Sequence, residues 1–201
     1  MTKAVWGARI SLAGALACAV MVSSCGEVVR QGSGSSYLIL TSLQAAPGNK
    51  PGSLGSFLLS DVRTVVDNVP TTFNDVGQAS FELALKDAGP TGSANAPSQN
   101  NGITLTQYHV QYVRSDGHNT PGVDVPFAFD GALTQTVSAA ASVGFTLVRN
   151  QAKSEAPLQA LVLNNIPFTV VAQVTFYGHD QTGHEVSVSG NIEITFADFG
   201  D

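Results

Sequence analysis

Apolar and polar residues alternate along most of this chain with the period of two that is typical of half-buried β-strands. The longest example comes last. Phe, Val and Ala occupy every second position from Phe168 to Phe176, and Val, Ile and Phe occupy most even positions from Val186 to Phe196. Residues 179–184 between them contain a glycine, which favours a hairpin loop. We therefore expect residues 168–178 and 186–196 to form a hairpin at the centre of the core.

The other predicted strands are shorter and are separated by turns rich in Gly and Pro. Apolar runs predict strands at residues 37–43, 54–66 (two short strands or one bent strand), 79–85, 103–114, 123–129, 132–137, 143–148 and 158–163. Within 103–114 the alternation slips by one near Thr106, which predicts either a β-bulge or a strand that changes sheets there. Residues 87–102 lack periodicity and predict a long loop.

Helical periodicity is missing over any useful length. The nearest case, residues 133–143, is rich in Ala, Ser and Thr but has no apolar stripe. Many short alternating strands with turn residues between them indicate an all-β domain. We predict an immunoglobulin-like antiparallel β-sandwich of roughly seven to nine strands, although the cysteine pair of antibody domains is missing.

The first 25 residues differ in composition from the rest. Lys3 and Arg9 precede an apolar run at residues 10–22, and small residues lead from it to a cysteine. This arrangement is typical of a secretory signal peptide. A retained transmembrane helix is the alternative, but it needs about 20 apolar residues. The run here is shorter and contains Ser11 and Gly14, so we predict that it is removed.

The residues Val22, Ser23, Ser24 and Cys25 resemble the lipobox of bacterial lipoproteins. The resemblance implies cleavage before Cys25, lipidation of its thiol, and anchoring in a membrane of the bacterial envelope through several acyl chains such as palmitate. Gly26 stands where an Asp would imply retention at the inner membrane, so the outer membrane is expected. An ordinary cleaved signal without lipid is the alternative, since small residues also suit that cleavage.

We therefore expect three parts in the chain. Residues 1–24 are a lipoprotein signal peptide, residues 25–36 are the lipidated cysteine and a flexible linker rich in Gly and Ser, and residues 37–201 are the sandwich. The mature part loses Cys18 with the signal peptide. Its remaining cysteine would be lipidated, so we expect neither a disulfide nor a cysteine metal site in the folded domain.

The charge of the chain argues against nucleic acid as a partner. Its formal net charge is −6, and removal of Lys3 and Arg9 leaves seven basic residues against fifteen acidic ones, a formal charge of −8. Phosphate contacts require clustered Lys and Arg, and none of the seven cluster. The membrane and an envelope protein or surface polymer remain as expected partners.

Few residues suggest catalytic or metal-binding chemistry. None of the serines lies in a Gly-x-Ser-x-Gly elbow, so a hydrolase is the least favoured function and we predict no enzyme. His179 and His184 flank the last hairpin loop and, with Asp180 and Asp116, are the candidates for a metal site. Zinc needs three or four ligands and calcium favours a regular carboxylate spacing that is missing here. We therefore predict neither metal nor cofactor.

Three segments of the predicted domain resemble immunoglobulin-like domains of bacterial lipoproteins. They are residues 114–126, 174–186 and 196–199. The resemblance implies the sandwich fold but no activity. The favoured function is a non-enzymatic interaction or structural module on a lipid anchor. The alternative is a module that binds glycans or another ligand, for which Tyr108, Tyr112 and Tyr177 are the candidate aromatic residues; exposure of their rings separates the two hypotheses.

Overall fold

The computed structural model describes residues 34–87, 89–93, 95–164 and 166–199. Within these ranges there are ten strands: β1 (Ser36–Ala46), β2 (Phe57–Asp61), β3 (Thr64–Val66), β4 (Val69–Thr71), β5 (Asp75–Leu85), β6 (Ile103–Val113), β7 (Phe129–Val137), β8 (Ala140–Val148), β9 (Phe168–Asp180) and β10 (Glu185–Ala197). One helical turn, α1 (Asn150–Lys153), and two 3-10 turns, Gln99–Asn101 and Leu158–Val162, complete the described elements.

Eight of the ten strands form two sheets that pack face to face. One sheet has the order β1-β5-β8 and the other has the order β2-β10-β9-β6-β7, while β3 and β4 form a separate ribbon. These orders match strands A-B-E and G-F-C-C′ of the immunoglobulin fold, with β2 added beside β10. The predicted all-β sandwich is confirmed. One pair departs from the antiparallel pattern, because β2 runs parallel to β10.

Four aromatic rings join the two sheets at the centre of the core. Phe81 and Phe145 project from the three-stranded sheet, and Tyr108 and Phe176 project from the five-stranded sheet. Ring centroids lie 5.0 Å apart for Phe81 and Phe176 and 5.3 Å apart for Phe145 and Phe176, in edge-to-face geometry. This geometry adds to the area that the rings bury. Gly77 leaves space for the ring of Phe145, since a Cβ there would lie 2.3 Å from it.

The phase slip in β6 is a β-bulge. The pairing of β6 shifts register between Leu105 and Gln107 against both of its neighbours, β7 and β9. Leu105 and Tyr108 are therefore both buried, while Thr106 and Gln107 both face solvent. The predicted bulge is confirmed. The alternative of a change of sheet is wrong, because β6 pairs with the same two strands on both sides of the bulge.

The closing hairpin is also confirmed. β9 and β10 pair continuously from Phe168 opposite Phe196 to His179 opposite Glu185. Val170, Val174 and Ile194 are buried, as their alternation predicts. The two ends of this hairpin mark the two ends of the sandwich. We call the end of the sandwich at residues 181–184 the hairpin end, and the opposite end, at Phe168 and Phe196, the far end.

Two predicted strands are wrong. The predicted strand at residues 158–163 is replaced by the 3-10 turn Leu158–Val162. Leu158 and Leu161 lie three positions apart in this turn, and both are buried. Residues 123–128 form a loop in which the N–H of Gly122 donates to the carbonyl of Val125. Pro121 precedes this loop and Pro126 lies within it, and neither has the backbone N–H that a strand would need.

The far end is held by an ion pair that alternation does not reveal. Lys153 Nζ on α1 lies 2.9 Å from Asp75 Oδ1 at the start of β5, and both side chains are at most 2% exposed. The hydroxyl of Ser60 donates to Asp75 Oδ2 at 2.5 Å, and the N–H of Gly48 donates to Oδ1 at 2.9 Å. The carboxylate thus joins α1, β2 and the β1–β2 loop. Because both charges are buried, each must be compensated by the other, and removal of either partner would be strongly destabilising.

Truncation of Ile194 to Ala should destabilise the sandwich by about 2–5 kcal/mol, because it removes buried area and leaves a cavity. Thr195→Ala is the matched control, since Thr195 is the next residue and faces the opposite side of the sheet. It should change the free energy of unfolding by about 0.5 kcal/mol. Chemical denaturation of the two variants measures both values. Equal losses would contradict the burial pattern of β10.

Lys153→Met should destabilise the protein by about 3–5 kcal/mol, because it leaves the carboxylate of Asp75 buried without its cation. The double variant Lys153→Met with Asp75→Asn should recover part of this loss, since it removes the uncompensated charge as well. Urea denaturation of the single and double variants measures the coupling. A single variant as stable as the parent would show that Asp75 does not depend on Lys153.

Candidate functional site

An open groove of about 1260 Å³ crosses the outer face of the five-stranded sheet near the hairpin end. Strands β6, β7, β9 and β10 and the β9–β10 loop contribute to its walls. The side chains that matter for its chemistry are those of Gln107, Asp130, Tyr177, His179, His184 and Glu185. The strands present this face to solvent, since Gln107, Tyr177 and Ser187 are all exposed.

The β-bulge in β6 shapes this groove. Bulges increase the local twist of a strand and redirect its side chains. Here the bulge turns both Thr106 and Gln107 outward at the edge of the groove. Directly opposite, Gly178 on β9 lies against the bulged strand so closely that a Cβ would meet the carbonyl oxygen of Thr104 at 2.1 Å. Any larger residue at position 178 would push β6 and β9 apart.

Hydroxyl pairs recur along the outer face of the sheet, from the hairpin end to the far end. Cross-strand pairs join Thr104 to Thr136, Thr175 to Ser189, and Thr169 to Thr195, each with an oxygen separation of 2.9 Å. A row of side-chain amides crosses the same face, where Gln111, Gln173 and Asn191 are register neighbours on adjacent strands. The face therefore offers many uncharged donors and acceptors. Each hydroxyl can donate one hydrogen bond and accept others.

Charged groups on this face are few and mostly acidic. His109 Nδ1 lies 2.8 Å from Asp130 Oδ1, across the β6–β7 pair at the edge of the groove. Glu185 stands opposite His179 in the β9–β10 register. No lysine or arginine occurs in any of the five strands of this sheet. The groove is therefore neutral to acidic and has no fixed cation among its strands.

Asp180 holds the hairpin end together. Its Oδ1 accepts hydrogen bonds from the N–H of Thr182 and His184 and from the hydroxyl of Thr182, and its Oδ2 accepts the N–H of Gly34 at 2.5 Å. Burial acts to raise the pKa of this carboxyl group, but these hydrogen bonds outweigh it and lower the pKa from 3.8 to about 2. Asp180 therefore ties the start of the described chain to the hairpin loop.

The three candidate tyrosines separate into two groups. Tyr108 and Tyr112 are buried in the core, as their shared apolar face indicates. The hydroxyl of Tyr112 donates to the carbonyl of Leu147 at 2.7 Å, and burial raises the pKa of this hydroxyl above its ordinary value of 10. Tyr177 is different, because it is 40% exposed and lines the groove. Only Tyr177 is thus placed to contact a ligand.

The candidate metal ligands do not come together as one group. His179 and His184 line the groove, whereas the carboxylate of Asp180 is turned to Thr182, His184 and Gly34. Asp116 lies at the far end, where the guanidinium of Arg114 lowers the pKa of its carboxyl group. Within the ranges that the structure describes, no three His, Cys, Asp or Glu side chains are arranged to hold a metal ion.

The predicted lipidation residue and much of the linker lie outside the described residues. Cys25 is among them, so the structure says nothing of its surroundings. The last linker residues, however, are part of the folded domain. Gly34 is bound to Asp180, the hydroxyl of Ser36 donates to the carbonyl of Asn101 at 2.7 Å, and β1 begins at Ser36.

Apolar side chains are exposed on the β3–β4 ribbon and on loops at the far end. These are Val65, Val69, Val123, Phe127, Leu163 and Ile166. They extend from the β3–β4 ribbon, the loop before β7 and the segment before β9.

The fold and the groove define an immunoglobulin-like sandwich with an open polar surface on one sheet. No protein-family model matches the chain, and no curated protein matches it significantly. In the part that the structure describes, no helix is long and apolar enough to cross a membrane.

The network around Asp180 should make the protein sensitive to acid. Its folded pKa of about 2 lies below the unfolded value of 3.8, so its contribution to stability is present above pH 4 and is lost as the pH falls to 2. Asp180→Asn should remove this part of the pH dependence, whereas Asp67→Asn, on the β3–β4 turn, should leave it in place. Urea denaturation between pH 2 and pH 6 measures the slopes; identical slopes would contradict the role of Asp180.

Proposed function

We propose that this chain is a lipid-anchored protein of the bacterial envelope whose sandwich is a non-enzymatic interaction module. Acyl chains on Cys25 hold it to the membrane, with the outer membrane as the site of anchoring. The partner is an envelope protein or a surface polymer. The observation that carries the proposal is the attachment of Gly34 to the hairpin end through Asp180, because it brings the chain from Cys25 to one end of the sandwich.

The length of the segment before Gly34 supports this arrangement. Nine residue steps separate Cys25 from Gly34, and a fully extended chain spans about 3.3–3.6 Å per residue. The hairpin end would therefore stay within about 30 Å of the lipid surface. Anchoring at one end leaves both sheet faces and the far end uncovered by the anchor.

The contacts of the buried hydroxyl groups support a non-enzymatic role. Two serines are buried among the described residues, and both use their hydroxyls for structure. Ser36 donates to the carbonyl of Asn101, and Ser60 donates to Asp75, whose charge is paired with Lys153. A catalytic serine needs a base that accepts its proton. The carboxylate beside Ser60 is instead committed to the ion pair at the far end.

Cys25→Ala should abolish acylation and leave an uncleaved precursor or release the domain from the membrane. Cys18→Ala is the matched control, because Cys18 lies in the segment that cleavage removes and its loss should change neither result. Labelling with a palmitate analogue and partitioning into detergent measure both variants. Labelled Cys25→Ala protein in the detergent phase would refute the anchor. Sedimentation of the parent chain with the inner membrane in a density gradient would refute the outer-membrane location.

A further inference from the structure

We propose that the groove on the outer face of the five-stranded sheet binds an uncharged polysaccharide, with the ring of Tyr177 stacking on a sugar. This inference rests on the proposed interaction role of the sandwich and names the chemistry of its partner. It does not depend on the anchor.

The shape of the groove suits a polymer better than a small molecule. Pockets for small ligands enclose most of the ligand surface. This groove is instead open to solvent along a sheet face, and it lies across four strands from Asp130 on β7 to Ser187 on β10. A polymer chain can gather many modest contacts along such a surface, whereas a single small molecule would leave much of its own surface in water.

The hydrogen-bonding groups of the face match sugar hydroxyls. The amide of Gln107 and the hydroxyl of Ser187 line the groove on either side of Tyr177, because the three residues are register neighbours. Beyond the groove, the pair Thr175–Ser189 continues the same chemistry along the sheet. Amides and hydroxyls both donate and accept hydrogen bonds, as sugar hydroxyls do. The face can therefore pair with a sugar without burying an unmatched charge.

The charge of the face selects against anionic polymers. The five strands contain no Lys or Arg. The groove carries the carboxylates of Asp130, which is paired with His109, and of Glu185, which stands opposite His179. Phosphates, sulfates and uronic acids need cationic partners, and two carboxylates would repel them. An uncharged chain of sugars meets no such barrier. The same reasoning excludes nucleic acid from this groove.

Tyr177 supplies the apolar contact that hydroxyl groups lack. Its ring is 40% exposed on a central strand. One face of a sugar ring presents C–H groups, which pack against an aromatic ring. Tyr37 is exposed to a similar degree, at 56%, but it lies on the other sheet, where the ammonium group of Lys86 is 5.5 Å from its ring centroid. Tyr37 is therefore a matched control for loss of an exposed tyrosine.

Affinity electrophoresis of the full lipidated chain in detergent tests this proposal. Native gels would contain hydroxyethyl cellulose, mannan or dextran as uncharged probes, and alginate as an anionic probe. At least one uncharged probe should retard the parent protein, and alginate should not. Tyr177→Ala should weaken the apparent affinity at least tenfold, Tyr177→Phe should retain it, and Tyr37→Ala should change it less than twofold.

Three outcomes would overturn the proposal: no retardation by any uncharged probe, retardation by alginate alone, or equal loss of binding in Tyr177→Ala and Tyr37→Ala. Thermal unfolding of the variants verifies that the tyrosine replacements leave the fold intact. Binding in detergent micelles does not require a membrane, so failure here leaves the Cys25 anchor standing. Conversely, loss of the anchor in Cys25→Ala says nothing against the groove.

Discussion

Both halves of β6 must direct their apolar side chains into one core, and this constraint shapes much of the molecule. Leu105 before the bulge and Tyr108 after it are both buried, which a regular strand with a period of two cannot achieve. The extra residue keeps Tyr108 beside Phe145 and Phe176, where the rings connect the sheets. It also turns two consecutive side chains outward and draws Gly178 against β6. The same adjustment thus completes the core and forms the groove.

Two carboxylates hold the ends of the sandwich by different means. Asp75 is paired with Lys153 at the far end, so a buried cation compensates the charge of its buried carboxylate. Among the described residues, Asp180 at the hairpin end is stabilised by N–H and O–H donors. Each carboxylate accepts hydrogen bonds from segments that are distant in sequence. In a sandwich whose described residues contain no cysteine, such networks and the apolar core fix the loops.

The proposed anchor and the proposed groove lie at the same end of the domain. Asp180 binds Gly34, while the neighbouring residues His179 and His184 line the groove. A polysaccharide held there would lie within reach of the membrane surface, close to the point where the linker joins the sandwich. The exposed apolar loops point the other way, from the far end. The molecule therefore has chemically distinct ends, one polar and close to the anchor, the other rich in exposed apolar side chains.

Alternation in the sequence determined the sandwich, the closing hairpin and the β6 bulge, because the period of side chains in a strand is a local property that burial enforces. It also placed Tyr108 and Tyr112 in the core. Local pattern failed at residues 158–163 and 123–128, where apolar residues pack from turns and loops. Only the tertiary structure decided the pairing of Asp75 with Lys153, 78 positions apart, and of Asp180 with Gly34, 146 positions apart. The groove was also decided only by the tertiary structure. Its walls come from four strands, and their proximity follows from the sheet order, which no single segment encodes.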